Sequence, residues 1–248
     1  MSFLTKLFPS KKLIDPVDLS VLKCDIHSHF IPAIDDGSKS LENSVEMIRT
    51  FYNLGYKKLI TTPHIMGDFY RNTPEIILNG LEKVKHQLRV EGIPVQLEAA
   101  AEYYVDYEFE HKIGKEKLLT FGDQYVLIEI SYVNQPENLE RVLFKLQTNG
   151  YKPVLAHPER YPFWYAKIEQ FETLFNNGVL LQLNINSLTG YYSPATKKLA
   201  ETLIDKNWIR LLGSDCHHTG HTDLLKQVVY SPYLKKLVDS GLLLNATL

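Results

Sequence analysis

The chain has 248 residues, 44% of them hydrophobic, enough to bury a sizeable core. Its formal net charge of -2 offers little attraction for nucleic acid, and no apolar run approaches the roughly 20 residues that cross a bilayer. Two distant cysteines, Cys24 and Cys216, exclude a disulfide framework and suit a cytoplasmic location; His29 and His221, not arginine, follow them five residues on, which excludes a phosphate-binding cysteine loop.

The opening MSFLTKLFPSKKLIDP lacks the continuous apolar core of a signal peptide. It belongs to an N-terminal extension over 1–20, frayed or packed, with a short amphipathic helix as the less favoured reading. A β-prone run at 22–29 (LKCDIHSH) precedes a helical pattern at 40–55, begun by Ser40, Asn43 and Ser44. Strand-like runs then recur at 57–64, 94–104, 125–131, 152–159, 180–187 and 209–217. Helical patterns separate them at 74–92, weakly near 106–118, and at 136–150, 166–178 and 194–207, with a last one over 222–240. Pro74, Pro136 and Pro194 sit where a first-turn proline is tolerated, and Gly55, Gly92, Gly150 and Gly178 where helices stop.

Seven βα units without a Pro-, Gly- or Ser-rich linker imply one α/β domain over 1–248 with a largely parallel sheet. The expected fold is a distorted seven-stranded (β/α) TIM-like barrel, with an open doubly wound sheet as runner-up. In a barrel, reactive groups gather at the carboxyl ends of the strands.

Those ends carry His27 and His29 with Asp35 and Asp36 in the following loop, then His64, Glu102, Glu129, His157, and finally Asp215 with His217. The sixth run ends instead in Asn184, Asn186 and Ser187. One such histidine would be ordinary structure. Six of seven ends bearing His, Asp or Glu among Leu, Ile and Val is different, because unpaired buried charges are costly and clustered carboxylates repel. Divalent cations remove both difficulties. Imidazole and carboxylate donors without thiolate suit Mn, Fe or Zn, and the donors suffice for two or three ions. Such a centre activates water and stabilises a transferring phosphoryl group. Arg160, close behind His157, is shaped to clamp phosphate; its bland alternative is a salt bridge with Glu159 or a surface acid.

The ordered set DIHSH…DDG, TxPH, AEYY, LIE, AHPERY and SDCH resembles the PHP (polymerase and histidinol phosphatase) superfamily. Within it, the chain is similar to bacterial capsule-type tyrosine phosphatases, which act opposite tyrosine autokinases in polysaccharide export. The resemblance runs from about residue 22 to about 222 and implies a trinuclear, manganese-activated centre, with Mg also conceivable. It assigns His27, His29, Glu102 and Asp215 to one ion. Glu102 would share a second ion with Glu129 and His157, while Asp36, His64 and His217 would hold the third. A second phosphate-binding arginine expected after SDCH is missing: either His221, which stands in that region, substitutes for it, or a flexible loop brings another group, or phosphate is bound more weakly.

The implied reaction is phosphomonoester hydrolysis by a metal-bridging hydroxide, with Arg160 on the phosphate and His217 or a metal water supplying any proton. The expected partner is a phosphotyrosine protein or peptide such as a tyrosine autokinase, met in the cytoplasm or at the inner-membrane periphery; a homo-oligomer is left open. Tyr161, with Tyr103, Tyr104, Tyr132, Phe163, Trp164 and Tyr165, would wall a slot for the tyrosine ring, or else simply pack over the rim. The competing readings are a phosphatase for histidinol phosphate or another small molecule, a nuclease-like phosphodiesterase, and a metal-loaded regulatory module without turnover.

Overall fold

The computed structural model describes residues 15–248, so the amphipathic alternative for the first residues lies outside them. Among the described residues the strands are β1 (Cys24–Asp25), β2 (Lys58–Thr61), β3 (His64–Ile65), β4 (Gln96–Ala99), β5 (Glu102–Tyr104), β6 (Tyr125–Glu129), β7 (Lys152–Ala156), β8 (Leu180–Asn184) and β9 (Ile209–Gly213). The helices are α1 (Leu41–Asn53), α2 (Pro74–Val90), α3 (Tyr107–Lys112), α4 (Leu139–Thr148), α5 (Ile168–Asn176), α6 (Pro194–Asp205), α7 (Thr219–Val228) and α8 (Pro232–Asp239). The fold is α/β, and every ladder is parallel.

The count of seven strands needs correction. The run at 57–64 divides into β2 and β3, and that at 94–104 into β4 and β5. Pro63 lies in the first break and has no N–H to give a ladder. Two sheets result, ordered β1-β2-β4 and β3-β5-β6-β7-β8-β9, and they do not form a closed hydrogen-bonded barrel. Ala100 N to Thr61 O (2.9 Å) and Glu102 N to Pro63 O (3.1 Å) carry the pairing across the break.

At the other junction β1 and β9 share no ladder, and side chains join them. Asp25 accepts from Ser214 N (2.8 Å) and Ser214 Oγ (2.9 Å). Asn245 donates from Nδ2 to Cys24 O (2.9 Å) and Leu212 O (2.8 Å), and its Oδ1 accepts from Leu212 N (2.9 Å). Beyond the strands, Asp215 N reaches His27 O (2.8 Å) and His29 N reaches Cys216 O (2.9 Å).

Ser40 caps α1, and Pro74 and Pro194 open α2 and α6 behind the capping side chains of Thr73 and Ser193. Pro136 does not open α4: its carbonyl accepts from Leu139 N, and the helix begins at Leu139. The pattern at 222–240 is two helices, because Ser231 and Pro232 end one and start the next. Apolar faces of the helices build the larger core, while Cys24, Ile26, Ile60, Leu127, Val154 and Leu211 form a second cluster joining strands of both sheets. Both cysteines are buried and free; Cys216 packs against the Met47 sulfur at 3.6 Å.

Candidate metal centre

Sheet register brings the donors together. His64 on β3 pairs with Glu102 on β5, and Glu129 ends β6 on the same face as the inner-cluster residue Leu127. His157 and Asp215 follow β7 and β9 at left-handed φ values of 33° and 50°. Non-glycine residues hold such angles only where their surroundings over-determine them.

Four donor atoms meet at the centre. His27 Nε2 lies 3.2 Å from Glu102 Oε2 and 3.3 Å from Asp215 Oδ1; His29 Nε2 lies 3.4 Å from both carboxylate oxygens and 3.4 Å from His27 Nε2. The outer ring nitrogens fix the tautomers. His27 Nδ1 is 2.8 Å from Gln182 Oε1, and His29 Nδ1 is 2.8 Å from Asp35 Oδ2. Both partners only accept, so each Nδ1 donates and each Nε2 faces the carboxylates, where it holds either a second proton or a lone pair for a cation. Two imidazole lone pairs facing two carboxylates in a buried site repel one another unless a cation or extra protons intervene.

Two further groups adjoin this one. His64, Glu102 and Glu129 offer atoms within 4.8 Å of one another, as do His29, Asp36, His64 and His217. His157 joins through Nε2, 3.2 Å from Glu102 Oε1 and 3.6 Å from Glu129 Oε1. Glu102 Oε2, His64 Nδ1 and His157 Nδ1 are buried without a hydrogen-bond partner among the described residues. Buried polar atoms are seldom left so, and the donor set fits divalent cations.

The electrostatics agree. Burial works against a charged His27, but Glu102 and Asp215 lift it to about 9. Burial raises Glu102 and Asp215, yet the imidazoles around them, His27 foremost, hold both well below the usual carboxylate range. Glu129, buried beside the Glu102 charge, rises to about 8, and burial with the Arg160 charge lowers His157 to about 4.

A cleft of about 370 Å³ opens over this cluster, lined by Asp36, His64, Tyr70, Tyr132, Arg160 and His217 among others. A larger groove of about 410 Å³ between α4 and α5 lies away from these groups, and size alone does not mark the site. Arg160 does not pair with Glu159. Its Nη1 donates to Asp215 Oδ2 (2.5 Å), while Glu159 turns inward to accept from Asn184 N (3.0 Å) and Ser187 Oγ (2.7 Å).

Two expectations for substrate contact fail. Tyr161 is fully buried, its hydroxyl accepting from Ile130 N (3.2 Å) and donating to Ala156 O (3.1 Å), so it walls no slot. Tyr103 and Trp164 are likewise core residues, whereas Tyr104 and Tyr132 do line the cleft, together with Tyr70. His221 is buried, with Nδ1 against His217 N (3.3 Å) and Asp215 O (3.1 Å), and does not line the cleft. It cannot offer phosphate what an arginine would. Gln182 and Asp25 support the centre from behind; the only signals of them in the sequence are a lone glutamine in LLQLN and an acid in CDIHSH.

The family profile described as capsular polysaccharide synthesis, CpsB/CapC, matches residues 23–235. The tyrosine-protein phosphatase YwqE of Bacillus subtilis is 32% identical over 195 residues, covering 78% of this chain and 77% of its own. CapC of Staphylococcus aureus is 28% identical over 213 residues, covering 85% and 84%. A crystal structure from work on YwqE and Streptococcus pneumoniae CpsB, described there as metal-dependent tyrosine phosphatases, superposes with a TM-score of 0.78 at 30% identity, covering 87% of this chain and 90% of that one. With most of its length matched in sequence and in fold, and its donor cluster inside the matched region, the chain belongs to the CpsB/CapC family of capsular polysaccharide synthesis.

Proposed function

We propose that this protein is a metal-dependent protein-tyrosine phosphatase acting on a phosphotyrosine protein, such as a tyrosine autokinase of polysaccharide export. The observation that carries the reading is the convergence of buried imidazole and carboxylate donors below a cleft whose rim holds one guanidinium, Arg160. The activities named for the relatives point the same way.

We assign His27, His29, Glu102 and Asp215 to one ion, Glu102, Glu129 and His157 to a second, and Asp36, His64 and His217 to a third. Manganese is the expected metal, with iron, zinc and magnesium as alternatives. The approach of His157 Nε2 to both glutamates supports the second set. The third is supported by Asp36 Oδ1, 3.5 Å from His64 Nε2 and 3.4 Å from His217 Nε2. Such ions, when bound, supply hydroxide near neutral pH and screen a transferring phosphoryl group.

Arg160 is the group suited to bind phosphoryl oxygens. His217 Nδ1 donates to the Asp215 carbonyl (2.9 Å), which turns Nε2 towards Asp36 and suits it to serve as a ligand. A tyrosine leaving group, with a reference pKa of about 10, needs little protonation. Tyr70, Tyr104 and Tyr132 replace the expected slot as walls for an aromatic ring. We read the two sheets as a distorted barrel within one domain, its break spanned by the bonds at Thr61 and Pro63, and the protein as cytoplasmic.

The test compares manganese-loaded and chelated protein on a phosphotyrosine peptide and on histidinol phosphate. The expected result is metal-dependent hydrolysis with the higher kcat/KM on the peptide. A preference for histidinol phosphate would overturn the substrate class; turnover unaffected by chelation would overturn the metal centre.

A further inference from the structure

Arg160 is held by more than its ion pair. Its guanidinium carbon lies 4.2 Å from the centroid of the Tyr192 ring and 5.1 Å from that of Tyr132. Tyr192, half-buried after β8, is itself fixed: its hydroxyl accepts from Asn184 Nδ2 (2.9 Å). The same Nδ2 also donates to Asp215 Oδ2 (3.2 Å), the oxygen that Arg160 grips. Asn184 cannot flip its amide, because Oδ1 accepts from Asn186 N (2.9 Å), and its backbone N–H is tied to Glu159. Arg160, Asp215, Asn184 and Tyr192 therefore form a closed ring of contacts drawn from the ends of β7, β8 and β9 and the segment after β8.

We infer that Tyr192 is a positioning residue for phosphate recognition, a platform on which Arg160 is stacked and aimed at the cleft. The inference rests on Arg160 being the phosphate ligand. Tyr192 does not line the cleft, so it acts through the guanidinium and not by touching substrate. Tyr132 is a poorer candidate for this role. It is farther from Arg160, more exposed, and its hydroxyl is committed to Glu129 Oε1 (2.8 Å). The platform also answers the missing second arginine. One guanidinium with its orientation already fixed loses less freedom on meeting an anion than a mobile one.

The experiment measures binding of inorganic phosphate to the manganese-loaded protein by calorimetry, beside KM and kcat on an aryl phosphate, for Tyr192→Leu, Tyr192→Phe, Arg160→Ala and Tyr192→Leu/Arg160→Ala. Loss of the aromatic face should weaken phosphate binding and raise KM by about 3- to 30-fold, with kcat changed less. Tyr192→Phe keeps the ring and should recover most of the affinity, and Tyr192→Leu should add nothing once Arg160 is gone. A Tyr192→Leu effect that persists undiminished in the Arg160→Ala background would overturn the inference. So would unchanged phosphate affinity in a Tyr192→Leu protein with normal thermal unfolding, or no phosphate binding by the unmodified protein. If the unmodified protein binds phosphate but does not turn over the ester, the phosphatase reading fails, and the binding series alone decides the role of Tyr192.

Discussion

Replacing Gln182 by methionine isolates the support behind the metal centre. The two side chains have similar length and volume, so packing is kept while polar atoms are lost. Gln182 Oε1 accepts from His27 Nδ1 at 2.8 Å, and its Nε2 donates to Leu183 O at 2.7 Å, both fully inside the protein. Without the acceptor, the buried His27 N–H stands unsatisfied, at a cost of about 1–3 kcal/mol. The ring is also freed to rotate or change tautomer, which would turn Nε2 away from Glu102 and Asp215. Removing such an outer partner from a ligating histidine weakens metal affinity by about 10- to 100-fold, or about 1.4–2.8 kcal/mol. Manganese titration against a competing chelator measures that change, and thermal unfolding of the metal-free protein measures the other. A Gln182→Met protein that unfolds earlier yet binds manganese within about twofold of normal would refute the reasoning, leaving Gln182 a structural hydrogen-bond partner with no part in holding the metal.

Chelation should lower the unfolding temperature as well as abolish activity, because an ion bound by His27, His29, Glu102 and Asp215 stabilises only the folded chain; added manganese should restore both, and an unchanged melt would count against the cage. Tyr161→Phe should destabilise the fold by about 1–2 kcal/mol through its two lost hydrogen bonds while leaving KM unchanged on a phosphotyrosine peptide. Glu110, gripped by Arg141 (2.6 and 2.8 Å) and Lys145 (2.9 Å), is lowered from 4.5 to about 2. Its contribution is therefore complete above the unfolded value of 4.5 and lost as pH falls towards about 2. Urea unfolding should show Glu110→Gln less stable by about 1–2 kcal/mol at pH 7, allowing for solvent screening of the partners, with the gap narrowing as pH falls below 4.5 and closing towards about 2.

Much of this architecture was legible in residue type and spacing. Gly55, Gly92, Gly150 and Gly178 mark helix ends, and each adopts the positive φ that favours glycine there. The nine expected ligand residues could be read because His, Asp and Glu stand out against Leu, Ile and Val, and the structure gathers them around one cluster. What could not be read was direction. Tyr161 and Tyr132 are both tyrosines near strand ends, yet one hydroxyl points into the core and the other to Glu129, a choice made by three-dimensional packing. His221 likewise sits at a plausible distance in sequence but on the inner side of α7. The division of two runs into four strands was only half visible: Pro63 marks the first break, whereas Ala100 and Ala101 leave the second run apolar throughout.

Asn245 ties Cys24 to Leu212, and its bond to Cys24 spans 221 positions of sequence. During synthesis β1 emerges first, and although β2 soon pairs with it, its other edge has no partner until β9 and Asn245 have been made. A nascent chain therefore carries an exposed strand edge, with His27 and His29 beside it, from the synthesis of β1 until that of β9. The His27–His29 side of the reactive centre can join the Asp215 side only after β9 and that tether have been made, so a ribosome-bound intermediate should acquire ion-binding capacity abruptly once residues 209–245 have emerged.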